Sequence, residues 1–176
     1  MPPPNTNIGN GTVISLEAGM QNSCVRMVEG LRCWGEGLYS QLGPIEGSLG
    51  DEPGELPPAF LPVGNVTDAV VGQSMCSLSN AGQLRCWGAG AWGSHGDGHT
   101  QNIGDDQGEL PPPLVDVGGL VSQLHQSSFA LHHCVVLEDQ SVRCWGAGAS
   151  GALGSGDVDS IGDQPGEMPP PPVDVF

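Results

Sequence analysis

Six cysteines carry the most evident chemistry in this chain, and they fall into three close pairs: Cys24 with Cys33, Cys76 with Cys86, and Cys134 with Cys144. Such pairs can form disulfides, hold zinc or stay as buried thiols. A structural zinc site takes tight C-x(2–4)-C knuckles, and the eight or nine residues between these partners are too many for one. Each pair brackets a stretch that reads as a β-hairpin. In the middle pair the turn falls on Asn80-Ala81-Gly82, and counting outward sets Leu78 opposite Leu84 and Cys76 opposite Cys86 on one face. Ser77, Ser79, Gln83 and Arg85 take the other face. Val136 and Val142 repeat that parity in the third pair. In the first pair the loop is one residue shorter and Arg26 stands where Leu78 and Val136 stand. Directly opposed cysteines on antiparallel strands lie about 4.5–5.5 Å apart at Cα, within disulfide reach. Three bridges, each inside one repeat, are therefore expected, with free thiols as the blander alternative. Each bridge would close a loop of about ten residues and contribute about 2–3 kcal/mol in the chain-entropy account.

Other reactive side chains form weaker patterns. His95, His99, His125, His132 and His133 do not recur between repeats, and no nucleophile-elbow serine accompanies them, so catalysis is not expected. His132-His133 beside Cys134 reads as strand histidine rather than as metal ligation if that cysteine is oxidised. His95 and His99 flank Asp97 in a glycine-rich loop, which allows at most adventitious metal binding. Gly88 to Gly96 and Gly146 to Gly154 satisfy the string G-x-G-x-x-G, but no helical apolar period follows to seat a pyrophosphate. Close strand packing accounts for those glycines better. Recurring acids, Asp51, Glu52 and Glu55, then Asp105, Asp106 and Glu109, then Asp163 and Glu167, allow a calcium reading. The plainer reading is an Asx-turn aspartate and a solvated glutamate, so no cofactor is expected.

The elements that position the cysteines are themselves repeated. Arg-Cys-Trp-Gly occurs at Arg32 to Gly35, Arg85 to Gly88 and Arg143 to Gly146, with Trp34, Trp87 and Trp145 spaced by 53 and then 58 residues. Short apolar runs punctuated by Gly and Pro at this period belong to repeat arrays such as propellers, whose units bury their faces against neighbours. The arginine beside each tryptophan is expected to be structural, stacked on an aromatic ring or paired with a linker carboxylate. After each cassette comes an acidic linker closed by prolines, read as polyproline II, at Pro57-Pro58, Pro111 to Pro113 and Pro169 to Pro172. A short strand then opens the next unit. The expected division is repeat 1 over residues 1–48, repeat 2 with its linker over 49–102, repeat 3 with its linker over 103–160, and a final linker with a partial strand over 161–176.

Composition narrows the function classes. The chain has 20 acidic residues against four arginines and no lysine, a formal charge of −16. Nothing in it would release phosphate counterions, so nucleic acid and anionic membrane surfaces are not expected partners. With 29 Gly and 16 Pro and no 3.6-residue apolar period, the fold class is all-β. No apolar run is long enough to span a bilayer as a helix. Paired cysteines call for an oxidising compartment. Asn10-Gly11-Thr12 and Asn65-Val66-Thr67 are N-glycosylation acceptors at the same phase of their units, so Asn10 and Asn65 are expected to carry glycans.

The order of strand, glycine, cysteine strand, Arg-Cys-Trp-Gly and Ile-Gly-Asp linker resembles the regulator of chromosome condensation repeat, in its secreted, disulfide-bearing variety. The resemblance implies a β-propeller with one four-stranded blade per repeat, usually seven to a ring. Three repeats do not make such a ring. It implies two kinds of activity, nucleotide exchange on a small nuclear GTPase and binding of protein partners, and the acidic, cysteine-paired composition disfavours the first.

The ends share a phase. Met1-Pro2-Pro3-Pro4 matches Met168-Pro169-Pro170-Pro171, and Asn7-Ile8-Gly9 matches Asp116-Val117-Gly118, as in a slice of a longer polypeptide. The expected function is an extracellular structural repeat protein, a non-catalytic subunit of a glycosylated fibre or cell-surface assembly that self-associates head to tail. The alternative is a secreted or surface propeller-type module that binds a protein or glycan.

Overall fold

A computed structural model describes residues 5–45, 47–126 and 130–174. Met1 to Pro4, on which part of the matched-phase argument falls, lie outside the described residues, as do Val175 and Phe176. The described residues are all-β, with two single turns of 3-10 helix. Strands β1 (Val13–Ala18), β2 (Asn22–Met27) and β3 (Gly30–Gly35) form the first sheet. Strands β4 (Asp68–Val70), β5 (Ser74–Leu78), β6 (Leu84–Gly88) and β7 (Leu114–Val115) form the second. Strands β8 (Val121–His125), β9 (His132–Leu137), β10 (Val142–Gly146) and β11 (Pro172–Val173) form the third. Every pairing is antiparallel between neighbours in each meander.

The central hairpins carry the register that period-2 alternation and turn chemistry dictate. Cys76 faces Cys86 and Leu78 faces Leu84, while Cys134 faces Cys144 and Val136 faces Val142. Gly82 adopts φ 69°, the left-handed conformation its turn requires. The shorter first loop pairs Met27 directly with Gly30. The fourth strand of each full sheet comes from beyond the next linker, so the second sheet runs from Asp68 to Val115 and crosses the expected boundary at 102. In the first sheet this strand is reduced to one ladder bond, Leu61 N–H to the Leu31 carbonyl at 2.8 Å. Pro62 follows and has no N–H to continue the ladder.

The glycine that ends each cassette is required by close approach. Gly35, Gly88 and Gly146 all have φ near +100° (104°, 95° and 100°), and a Cβ there would sit 2.3–2.5 Å from the carbonyl oxygens of Gln21, Gln73 and Leu131. The same glycines bridge to Leu49, Ile103 and Ile161, which ties each linker back to its own sheet.

Alternation within a hairpin normally separates a buried face from a wet one, yet all five residues of β5 are buried. The reason is that both faces of the second sheet are covered. One core joins the disulfide face of the first sheet (Cys24, Leu31, Cys33) to the tryptophan face of the second (Ala69, Met75, Trp87). A second core joins Cys76, Leu78, Leu84 and Cys86 to Leu124, Val135, Leu137 and Trp145 of the third sheet. The first and second sheets thus each place their cysteines against the tryptophan of the sheet that follows.

Candidate functional site

All six cysteines are bonded, as Cys24–Cys33, Cys76–Cys86 and Cys134–Cys144, with Cα separations of 4.0, 4.1 and 4.2 Å. That is closer than the expected 4.5–5.5 Å and matches the narrow kind of antiparallel pair. The first two bridges are buried inside the two cores, while Cys134 of the third is half-buried, on a face that no sheet among the described residues covers.

Each cassette tryptophan below the first reaches back to the preceding repeat. Trp87 donates its indole N–H to the Gln41 carbonyl at 2.9 Å, and Trp145 donates to the Ser94 carbonyl at 3.0 Å. Gln41 and Ser94 occupy the same position in the loops after their cassettes. Their role is invisible in the sequence because the acceptor is backbone. Trp34 heads the first repeat and is only half-buried, and among the described residues no carbonyl takes its indole N–H. Leu16 beside it is 63 % exposed, whereas its counterparts Ala69 and Leu124 are 5 % and 4 % exposed. On the first sheet Trp34 and Leu16 thus lack the cover their counterparts have among the described residues, although Val25 and Met27 on the same face are buried at 2 % exposure. At the opposite end the third sheet presents Cys134, Val136 and Val142, all half-buried, and the loop residue Ala152, which matches Ser94 and is exposed.

Each cassette arginine bonds a proline carbonyl rather than the linker carboxylate expected. Arg32 and Arg143 donate through Nη1 to the carbonyls of Pro58 and Pro170 at 2.6 Å, and Arg85 bonds the carbonyl of Pro112 in the same way. The proline run, not a linker carboxylate, receives each guanidinium. Arg32 also stacks on an aromatic ring, with its guanidinium carbon 4.0 Å from the centroid of Phe60. Each bonded proline is buried between exposed neighbours. Each run also opens on a cis peptide, at Leu56–Pro57, Leu110–Pro111 and Met168–Pro169.

The linker acids have a local task. Glu55 accepts backbone N–H bonds from Gly50 and Glu52 at 2.7 and 3.0 Å. Glu109 does the same for Gly104 and Asp106, and Glu167 for Gly162, Asp163 and Gln164. The N–H groups of Glu52 and then Gly50 hold the Glu55 carboxyl below its ordinary range. These glutamates are not simply solvated, and among the described residues no group of three or more His, Cys, Asp or Glu side chains converges as metal ligands. His95, Asp97 and His99 are parted: His99 Nε2 lies 2.9 Å from Asp97 Oδ2, while His95 is turned into the protein and buried. His133 is likewise buried, and His125 bonds Gln123 at 3.2 Å. Asn10 and Asn65 are both exposed. The Asn7 side chain accepts the Gly9 N–H at 3.1 Å just as Asp116 accepts that of Gly118 at 2.9 Å, which places the N-terminal segment at the phase its sequence indicates.

No protein-family model matches this chain. Over 149 residues, or 81 % of its length, it is 29 % identical to human E3 ubiquitin-protein ligase HERC2, of which it spans 3 %. The mouse protein matches equally. Among solved structures, yeast RCC1 (Prp20) bound to Kap60 superposes over 92 % of this chain with a TM-score of 0.62 at 14 % identity. The fold is that of propeller-blade repeats like those of the regulator of chromosome condensation. Human WBSCR16 gives a TM-score of 0.59 at 21 % identity over 78 % of the chain. The chain spans 37 % of the Prp20 chain and 34 % of the WBSCR16 chain. Among the described residues no helix is long and apolar enough to cross a membrane, and three intrachain disulfides fit an oxidising compartment.

Proposed function

We propose that this chain is a non-catalytic, extracellular structural module whose blade faces associate head to tail. The carrying observation is the uncovered tryptophan face around Trp34 and Leu16, whose counterparts in the second and third repeats are each seated on a disulfide face. The occupant proposed for it is the disulfide face of a second copy, formed by Cys134, Val136 and Val142, with the Ala152 carbonyl receiving the Trp34 indole as Gln41 and Ser94 receive theirs. This contact is heterologous, because different surfaces meet, and it propagates into a filament unless its rotation closes a ring. Exposed Asn10 and Asn65, with the flanking prolines, support a glycosylated outer surface. Buried disulfides support residence outside the cytosol. The mass of the native particle and its image by electron microscopy test the reading. Rods or rings with one copy per step support it, and a dispersed monomer over the micromolar range refutes it.

The alternative is a binding module for another protein. It draws support from Prp20, solved with Kap60 and described as binding Gsp1p and histones. A net charge of −16 favours a basic partner over nucleic acid. A Trp34→Asp variant separates the two readings: it abolishes self-association under the first, and leaves a monomer that still captures its partner under the second.

A further inference from the structure

The two sheet-to-sheet junctions bury different groups. In the loop where the first repeat carries Leu42 and the third Leu153, the second carries His95; where β5 carries Met75, β9 carries His133. Both imidazoles are enclosed, His95 at 1 % and His133 at 0 % exposure. His133 stacks on Trp145 with ring centroids 5.4 Å apart. Its Nε2 lies 3.1 Å from Ser74 Oγ, and its Nδ1 lies 3.5 Å from the bridged Cys76 sulfur. Carbonyls of Trp87, Gly88 and Ala89 lie beside His95, yet neither of its ring nitrogens meets a partner in hydrogen-bond geometry.

The surroundings supply no counter-ion for a proton here. Against His133, β5 offers the Ser74 hydroxyl and a neutral disulfide, β10 offers an indole, and His132 and His95 add only positive charge. Near His95 the titratable groups are His99 and, two residues along the loop, Asp97, which is 2.9 Å from His99. Burial raises the Asp97 carboxyl from its ordinary value, against the opposing pull of His99. The first junction buries leucine and methionine at the matching places and has no histidine in its core.

We propose that the second junction is an acid-triggered hinge: protonation of His95 and His133 parts the third sheet from the second, while the first and second sheets stay packed. Burial first, then repulsion from His99, lowers His95 to about 4. Burial first, then repulsion from His95 and His132, lowers His133 to about 3. With the junction open both rings regain an ordinary value near 6.5. The open form therefore binds more protons, and opening is favoured progressively as pH falls from about 6.5 toward 3–4. At about pH 4 the two shifts together multiply the opening constant on the order of 10⁴-fold relative to neutral pH.

Hydrogen exchange of the whole chain at about pH 7 and about pH 4, each corrected for intrinsic rates, tests this. The expected result is at least a roughly hundredfold loss of protection in β9 and β10 relative to β2 and β3. Equal loss in all three sheets, or no loss, overturns it. The double variant His95→Leu with His133→Met installs residues the other repeats already use at these places and should abolish the acid response. Should that variant not fold, His95→Leu alone should remove about half of the logarithmic effect. An unchanged acid response in either variant overturns the proposal.

Discussion

The indole N–H of Trp145 meets the main-chain carbonyl of Ser94 at 3.0 Å, across the junction between two repeats and out of reach of water. A buried carbonyl that loses its only strong donor keeps its desolvation cost without compensation. Trp145→Phe should therefore destabilise the chain by about 1–3 kcal/mol from the lost bond alone. Trp87→Phe should behave alike, since Gln41 stands in the place of Ser94. Trp34→Phe in the monomeric chain should cost well under about 1 kcal/mol, because no described carbonyl depends on it. Urea denaturation of the three variants checks the order, and equal losses at all three would refute the junction account.

The three disulfides should differ in how fast they are reduced. Exchange requires a thiolate to reach a sulfur, and Cys76–Cys86 lies between two sheets while Cys134 is half-buried at an uncovered face. Under native conditions with limiting dithiothreitol, Cys134–Cys144 should open before Cys24–Cys33 and Cys76–Cys86, both of which are buried between sheets. Alkylation and peptide mapping reads the order. Recovery of any bridge between repeats would contradict the hairpin register itself.

The hairpins were legible in the sequence because independent signals agreed. Parity placed Cys76 opposite Cys86 and Leu78 opposite Leu84, and the Asn80-Ala81-Gly82 turn demanded the same register. The stacking of sheets was harder to read, since a strand covered on both sides, as β5 is, shows no wet face to betray its orientation. Acceptors such as Gln41 and Ser94 left no trace, because any residue supplies a carbonyl. The glutamates at 55, 109 and 167 did carry a signal in their fixed five-residue distance from Gly50, Gly104 and Gly162. That spacing marks a self-capping loop, whereas composition alone had suggested solvated acids or calcium. His95 was equally visible by its alignment with Leu42 and Leu153, a position reserved for buried side chains.

Arg143 secures the last described strand. Its Nη1 holds the Pro170 carbonyl at 2.6 Å, and β11 pairs with β10 over only two residues. Replacing it by Met keeps much of the aliphatic contact but removes a charge-assisted bond, worth about 1.5–3 kcal/mol. Arg143→Met should lower stability by that amount and raise hydrogen exchange at Val173. Arg26→Met should cost less, since the part-buried bond from Arg26 Nε to Ser15 Oγ at 3.2 Å joins two adjacent strands of one sheet and ties down no linker. Equal effects would mean that the cassette position is not special.

Asn10 and Asn65 should both carry N-linked glycans when the protein is taken from its natural source. Each follows a glycine with positive φ, Gly9 at 80° and Gly64 at 84°, which turns the chain outward and leaves the asparagine exposed. An oligosaccharyltransferase needs an accessible, extendable sequon, and both segments lie outside the sheets. Gly118 turns the third repeat in the same way at φ 85°, but Gly119 follows, so that site should be bare. Enzymatic deglycosylation in heavy-oxygen water converts each occupied asparagine to labelled aspartate, which mass spectrometry reads site by site. Unlabelled asparagine at both positions would count against passage through a glycosylating secretory route and would leave the disulfides as the sole support for an extracellular location.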